Sequence, residues 1–286
     1  MKRKILRSVV LLTLSLASCN GGSDKPVAEV KPKVNITMKG SDTVLPVGQK
    51  EAEEYMKTDS LTTISVVGGG SGVGISALLD GSTDIAMASR DLKTDEKIKF
   101  DDRKMKITET VIGYDALSVV VNPSNKVTKL TKEQLDDIFT GKITNWKDVG
   151  GANMKIVVYT RESSSGTFEF FKESVMDKKN YSSTALSLAS NGAIAQSVSQ
   201  TPGAIGYIGL AYVDNTVHTI DVSYDKGVTF VAPSVATAKD KSYPITRPLY
   251  YFYDEAKAAT VKGIVDYTLS AAGQVILKDI GYIPLN

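Results

Sequence analysis

The sequence is poor in cysteine and histidine. It has one cysteine, Cys19, and one histidine, His218, among 286 residues. A single cysteine cannot form an intramolecular disulfide, and together with a single histidine it cannot build the usual ligand set of a structural zinc site. Because His218 lies in a polar stretch, we interpret it as a surface residue. No acidic motif of the EF-hand type is present, and the sequence therefore predicts neither a metal site nor a cofactor.

The sequence also lacks the signatures of hydrolytic enzymes. The motif G-x-S-x-G is absent, and one histidine leaves little room for a Ser-His-Asp arrangement. No spacing of acidic residues points to a catalytic carboxylate pair. These absences favour a binding protein over an enzyme.

The N-terminus predicts export. A basic start (residues 1–4) precedes the apolar run Val9–Leu16, which is too short to span a membrane but is typical of a signal peptide over residues 1–18. Cys19 follows Leu16-Ala17-Ser18 in the pattern of a bacterial lipobox. We expect cleavage before Cys19 and lipid attachment to its sulfur, which would hold the protein in the cell envelope. An ordinary signal peptide with a chance cysteine is the alternative.

Removal of this segment changes the charge balance. The whole chain has 34 basic and 32 acidic residues, and four of the basic residues lie in the signal peptide. The remaining chain is slightly acidic, so a nucleic-acid partner has no electrostatic support. Residues 19–33 are rich in Gly, Pro and charge and predict a tether to the lipid.

Strands and helices alternate after the tether. We predict strands over Val34–Met38, Thr62–Val67 and Thr83–Ser89, with helices over Leu45–Met56 and Ile75–Leu79 between them. This order is typical of an α/β fold with a parallel sheet, whose loops gather at the carboxyl ends of the strands. The long apolar stretch Ile107–Val121 predicts a strand that crosses from one domain to another. The charge-dense segment Leu92–Lys106 indicates a solvated helix and turn.

A glycine-rich loop follows the second strand. The sequence VVGGGSGVGIS (Val66–Ser76) has the glycine spacing of a Walker A loop, but Ile75 replaces the lysine that contacts the phosphates. Residues 72–77 fit G-x-G-x-x-A, a weak dinucleotide signature. A tight turn without a ligand is the alternative. The ligand interpretations share an anion held by backbone N–H groups at the start of a helix.

A second polar segment, TRESSSGTF, follows another predicted strand. Its hydroxyl groups and the amides at the start of the next helix are hydrogen-bond donors, and Arg161 adds a planar fork that suits two oxygens of one anion. A helix cap with a surface ion pair between Arg161 and Glu162 is the alternative. Arg90 stands beside a serine at another strand end. Two strand ends that each carry an arginine beside serines, in a slightly acidic protein, favour an anion site.

Several segments resemble one family, the phosphate-binding proteins of bacterial phosphate ABC transporters. These segments are LTKEQLDDIFTGKITNWKDVGG (Leu130–Gly151), RESSSGT (Arg161–Thr167), TPGAIGYIGLAYV (Thr201–Val213), GSDTV and GGGSGVGISALLDGSTDIAMASR. The resemblance implies a type II periplasmic-binding-protein fold, with two α/β domains joined by two crossing strands. We place one domain at 34–113 and 244–286 and the other at 114–243.

The resemblance also implies ligand contacts. Expected side-chain contacts are Thr43, Ser71, Ser89, Arg90, Arg161, Ser165 and Thr167, and expected backbone N–H donors are Val44, Gly72 and Gly166. Two departures from the family pattern stand out. Ser89-Arg90 replaces an aspartate that accepts the proton of the ligand, so Asp42 or Asp91 is expected to act instead. Ser163 replaces an aspartate that orients the arginine, which leaves that role to Glu162 or another group.

The resulting hypothesis is a monomeric, lipid-anchored receptor that binds inorganic phosphate and delivers it to an ABC permease in the inner membrane. A receptor for another tetrahedral oxyanion, such as sulfate, is the first alternative. A secreted phosphatase or hydrolase on the same fold is the second. A sensory or adhesive lipoprotein would keep the same anion site and change only the partner.

Overall fold

A computed structural model describes residues 33–285. The predicted signal peptide, Cys19, the tether up to residue 32 and the final residue, Asn286, lie outside the described residues. The strands are β1 Val34–Gly40, β2 Thr62–Val67, β3 Ile85–Ala88, β4 Ile107–Val121, β5 Lys129–Thr131, β6 Val157–Arg161, β7 Leu186–Leu188, β8 Ala204–Gly209, β9 His218–Thr219, β10 Asp221–Ser223 and β11 Thr246–Asp254. The helices are α1 Leu45–Thr58, α2 Ser71–Leu79, α3 Thr94–Asp102, α4 Lys132–Thr140, α5 Gly166–Ser174, α6 Asn191–Gln200, α7 Val235–Lys239, α8 Ala258–Leu269 and α9 Ala271–Ile280.

The alternation of strands and helices confirms the predicted α/β class. Strand β2 has the predicted bounds, and β4 covers the whole apolar stretch predicted as one long strand. The prediction for α2 was wrong at its start, because the helix begins at Ser71 rather than Ile75. The carbonyl of Gly70 already accepts hydrogen bonds from the amides of Val73 and Gly74. The second part of the glycine-rich loop, from Ser71 onward, therefore forms the first turn of the helix.

Nine of the described strands form one mixed sheet with the order β2-β1-β3-β11-β4-β8-β6-β7, in which β9 pairs with β4, whereas β5 and β10 pair with each other in a separate two-stranded sheet. Strands β1, β2 and β3 are parallel, and so are β6, β7 and β8. We call β1, β2, β3 and β11 with their helices the first half of the sheet, and β6, β7 and β8 with theirs the second half. Strand β11 is antiparallel to both of its neighbours.

Strand β4 belongs to both halves. Its first part, 107–116, pairs with β11, and its second part, 117–121, pairs with β8. The two halves are thus joined through β4 and β11, as expected of a fold with two crossing strands. The predicted first boundary, 113/114, lies inside β4, and the second, 243/244, lies just before β11; the division into two domains stays a prediction.

Each half is covered by helices on both faces. In the first half, Val47 of α1 and Leu277 of α9 pack on one face, and Phe100 of α3 packs on the other. In the second half, Phe139 of α4 and Ile194 of α6 belong to separate clusters. Because helices cover both faces of the parallel strands, the loops are exposed at the ends of the strands, and the polar segments lie at the carboxyl ends. None of the helices within residues 33–285 is long and apolar enough to cross a membrane.

Candidate functional site

Four loops at the carboxyl ends of strands meet between the two halves. Three come from the first half, after β1, β2 and β3, and the fourth comes from the second half, after β6. The expectation that the loops gather at the carboxyl ends of the strands is therefore confirmed for the segments GSDTV, GGGSGVG and SRD, and the segment RESSSGT joins them. The parallel arrangement of the strands is the physical reason, since it places these loops on one side.

A cluster of hydroxyl groups lies where the loops meet. We define the hydroxyl cluster as Ser41, Thr43, Ser71, Ser89 and Thr167, and all five are buried. The Thr43 and Thr167 hydroxyls lie 3.0 Å apart and join the two halves. Ser41 Oγ donates to Ser89 Oγ at 3.0 Å, and the Ser89 amide donates to Ser71 Oγ at 3.1 Å. Four of the five residues come from the first half, so Thr167 is the contribution of the second.

The two glycine-containing helix starts are pressed against each other. The Gly72 amide of α2 donates to the Ser164 carbonyl at 2.9 Å. A Cβ atom at Gly166 would lie 2.3 Å from Ser71 Oγ, and one at Gly70, whose φ is +100°, would lie 2.7 Å from the Ser164 carbonyl oxygen. Only glycine permits this approach. The glycines predicted to admit an anion thus also let the halves meet.

Two of the predicted backbone donors make protein contacts in this structure. The Val44 amide donates to the Ser41 carbonyl at 3.1 Å, and the Gly72 amide is held by Ser164. Ser165 caps α5, because its Oγ accepts from the amides of Thr167 and Phe168 at 3.1 and 3.4 Å. The hydroxyl hydrogen of Ser165 is the group it can still donate.

Arg161 is buried with unused donors. Its side chain is 1% exposed, and Nη2 donates to the Ala189 carbonyl at 2.7 Å. Among the described residues, Nε and Nη1 have no hydrogen-bond partner. Burial lowers the pKa of Arg161, and the nearby Asp42 opposes that shift. Buried N–H groups of a cation without acceptors are costly, so this position favours an acceptor such as an anion.

The carboxylate beside Arg161 comes from Asp42. Asp42 Oδ2 lies 3.6 Å from Arg161 Nη1, whereas Glu162 is exposed. The surface ion pair with Glu162 was therefore the wrong interpretation of Arg161. Asp42 also accepts two hydrogen bonds of 2.9 Å from Asn191, one from its amide and one from Nδ2. Asp42 thus links the loop after β1 to α6 of the second half.

Arg90 differs from Arg161 because both of its terminal nitrogens are already paired, which leaves only Nε without a partner among the described residues. Nη1 and Nη2 donate to the two carboxylate oxygens of Glu96 at 2.8 and 2.7 Å, and Nη1 also donates to the Asp91 carbonyl at 2.7 Å. Glu96 lies on α3, in the segment predicted to be merely solvated. The expected free cation at Arg90 is therefore largely neutralised. The Asp91 carboxylate accepts from the Tyr250 hydroxyl.

The sequence analysis missed a buried ion pair at the centre of the site. Arg247 of β11 donates to Asp115 of β4 through Nε at 3.2 Å and Nη2 at 2.8 Å, and both side chains are almost fully buried. Nη2 also lies 3.2 Å from Thr43 Oγ1 and 3.1 Å from Thr167 Oγ1. Burial raises the pKa of Asp115, and Arg247 opposes that shift. A charged residue directly before the most apolar part of each strand was the signal that could have revealed them.

Asn191 was also missed as a site residue, although it lies at the start of α6. The cap of α6 is Ser190, whose side chain accepts from the Ala193 amide at 3.0 Å. This leaves the buried side chain of Asn191 for the site, where Nδ2 donates to Thr43 Oγ1 at 3.3 Å. His218 is exposed, as predicted.

Comparisons with known proteins identify the family. A family model described as a PBP superfamily domain matches residues 26–272. The phosphate-binding protein PstS of Staphylococcus saprophyticus is 37% identical over 94% of this chain and 83% of its own length. A protein of Clostridium perfringens, described as a phosphate ABC transporter substrate-binding protein with bound phosphate, has a TM-score of 0.80 at 34% identity and is matched over 88% of this chain and 100% of its own. An ABC-type phosphate transport receptor of Vibrio cholerae has a TM-score of 0.71 at 33% identity, and the match covers 87% of this chain and 99% of the receptor.

Proposed function

Because this chain belongs to the PstS-type family of phosphate-binding proteins, we propose that it binds inorganic phosphate outside the cytoplasm and delivers it to an ABC permease. The observation that carries the proposal is the pair of unsatisfied Arg161 nitrogens, buried beside a cluster of hydroxyl groups. A tetrahedral oxyanion offers acceptors to a cation and to hydroxyl donors at the same time.

We assign direct contacts with phosphate to Arg161 and to four hydroxyl groups. These hydroxyls are Ser71, Ser89, Ser165 and Thr167, and the amide of Gly166 at the start of α5 completes the set. Thr43 acts through Thr167, since their hydroxyls lie 3.0 Å apart. The amides of Val44 and Gly72 and the guanidinium of Arg90 make protein contacts in this structure, so we assign them supporting roles. Charge-assisted hydrogen bonds contribute about 1.5–3 kcal/mol each. A few of them beyond the costs of desolvation and ordering suffice for the ~8 kcal/mol of micromolar binding.

Closure of the two halves is the proposed signal to the permease. The contacts between Thr43 and Thr167, and between Gly72 and Ser164, join the halves around the site. A ligand that bridges the halves stabilises the closed arrangement, and a permease that prefers this arrangement would select the loaded receptor. We further propose that the protein is a monomer, that it performs no catalysis, and that lipid on Cys19 holds it at the membrane.

Calorimetric titration of residues 20–286 with phosphate and with sulfate, between pH 5 and 8, tests the binding function. The protein would first be freed of bound ligand by unfolding and refolding. Tight phosphate binding without sulfate heat supports the proposal, and equal binding indicates a general oxyanion receptor. Absence of heat with either anion would contradict it. Metal-independent turnover of a chromogenic phosphoester would contradict the absence of catalysis.

Three arginine variants test the assignment of the cation. Arg161→Met is expected to weaken phosphate binding by about ten- to a hundredfold, because it removes a charge-assisted donor. Arg90→Met should have a smaller effect, because Glu96 already neutralises that cation. Arg103→Met is the matched control, since Arg103 lies on the surface beside Asp80. Equal effects of the Arg90 and Arg161 variants would refute this ranking.

A further inference from the structure

The pair of Arg247 and Asp115 is placed at the junction of the two halves. The two residues are directly opposite each other in the register of β11 and β4, the strands that join the halves. Both side chains are at most 1% exposed. Because a buried ion pair is often no more stabilising than apolar residues of similar size, its presence beside the hydroxyl cluster calls for a functional explanation.

The guanidinium of Arg247 reaches one hydroxyl from each half. Its Nε and one N–H group of Nη2 donate to Asp115, and Nη1 donates to the Ser89 carbonyl at 3.3 Å. The second N–H group of Nη2 is shared between Thr43 Oγ1 and Thr167 Oγ1. Since a guanidinium has only donors, both threonine oxygens must act as acceptors toward it.

Asn191 donates a second hydrogen bond to the Thr43 hydroxyl oxygen. The orientation of its amide follows from its partners, because its Oδ1 accepts from the Gly209 amide at 3.3 Å while Nδ2 faces Asp42 and Thr43. A hydroxyl oxygen has two lone pairs and one hydrogen. With Arg247 and Asn191 both donating to it, Thr43 can only donate its own hydrogen onward.

The direction of the hydrogen bonds across the site follows from these contacts. Thr43 donates to Thr167, and Thr167 accepts from Thr43 and from Arg247. The hydrogen of Thr167 is then left for an acceptor in the site. We propose that Arg247 is a positioning residue that, with Asn191, directs the Thr43 hydrogen to Thr167 and so leaves the Thr167 hydroxyl as a hydrogen-bond donor that selects ionised oxygens of the ligand. This inference rests on the proposed binding of phosphate.

The proposal predicts non-additive effects on affinity. Arg247→Lys keeps a cation beside Asp115 but lacks the planar fork that reaches both threonines. We expect it to weaken phosphate binding at pH 8 by about tenfold or more. Because Arg247 acts through Thr167, the double variant of Arg247→Lys with Thr167→Val should bind about as weakly as Thr167→Val alone. Arg103→Lys is the matched surface control and should bind like the wild type.

The pH dependence of affinity supplies a second readout. Hydroxyls that are held as donors favour the more ionised phosphate at pH 8 over the form present at pH 6. In Arg247→Lys the hydroxyls can rotate to accept from a protonated oxygen, so the preference for pH 8 should shrink although the charge is kept. Calorimetry with inorganic phosphate at both pH values measures it, and circular dichroism checks that the variant is folded.

The outcomes separate this inference from the proposed function. The role of Arg247 is overturned if the affinity losses of the two single variants multiply in the double variant, or if Arg247→Lys keeps the pH preference of the wild type. Either result leaves the proposed phosphate binding intact. Absence of phosphate binding by the wild type overturns both. If Arg247→Lys fails to fold, Asn191→Ala with Thr43→Val forms an independent cycle. Non-additivity there supports the proposal, and additivity overturns it.

Discussion

A buried carboxyl group outside the site gives a prediction whose magnitude can be worked out. Glu51 of α1 is 0% exposed. Its Oε2 accepts from the Thr268 hydroxyl at 2.6 Å and the Tyr251 hydroxyl at 3.2 Å, and Oε1 has no partner within residues 33–285. Burial raises the pKa of Glu51 from its ordinary value of 4.5 to about 7, although the two hydroxyls oppose the shift.

The sign of the effect on stability follows from the raised pKa. Between pH 4.5 and 7 the folded protein binds a proton at Glu51 that the unfolded chain releases, so stability falls as the pH rises through this window. One pKa unit corresponds to about 1.4 kcal/mol. A folded pKa of about 7 therefore predicts that Glu51 lowers the free energy of unfolding by about 2.5 kcal/mol between pH 5 and pH 8.

Glu51→Gln removes this titration while keeping the shape of the side chain. The advantage of Glu51→Gln over the wild type, measured as the difference in unfolding free energy, should grow by about 2–3 kcal/mol from pH 5 to pH 8. The assay is urea unfolding followed by circular dichroism in phosphate-free buffer, because a bound ligand would add its own stabilisation.

Glu53→Gln is the matched control. It makes the same substitution on the same helix, but Glu53 is exposed and pairs with Lys50 and Lys57. Exposed ion pairs contribute little to stability, so its profile should parallel that of the wild type. Parallel profiles for Glu51→Gln as well would refute the reasoning, since they would mean that Glu51 titrates alike in the folded and unfolded chains.

Two further predictions concern closure of the site. Gly166→Ala should weaken phosphate binding by about tenfold or more and keep a native circular dichroism spectrum, because the added Cβ would lie 2.3 Å from Ser71 Oγ. Gly192→Ala is the control, since its Cβ would meet only one atom, at 3.9 Å. Equal affinities of the two variants would argue against the contact. Glu169→Gln breaks the 2.8 Å ion pair with Lys93 that joins the halves. The substitution should reduce the binding free energy by at most about 1 kcal/mol, and by less at high salt, because partly exposed ion pairs are weak and screened. Titration with phosphate at two salt concentrations measures the loss. A larger loss that does not depend on salt would contradict the role assigned to this ion pair.

Local sequence patterns were sufficient to predict the loops but not the partners of their charged residues. Apolar runs and glycine-serine segments determine where strands stop and helices start, so the convergence of the loops followed from the order of elements. The cap of α4 by Thr131 and its end at Gly141 were predictable for the same reason. By contrast, Arg247 lies 132 residues from Asp115 along the chain. Only the antiparallel register of β11 on β4 brings them together, and no local pattern encodes that register.

The same limit explains why Arg90 and Arg161 looked equivalent in the sequence. Each follows a strand and stands beside serines, and a periodic pattern cannot show which of them finds a carboxylate. In the fold, Glu96 takes both terminal nitrogens of Arg90, while Asp42 approaches Arg161 only to 3.6 Å. Donors that the protein satisfies contribute rigidity, and donors that it leaves unsatisfied in a buried place favour a ligand that brings acceptors. We therefore base the proposed position of the anion on the distribution of acidic partners among the arginines, more than on the number of arginines.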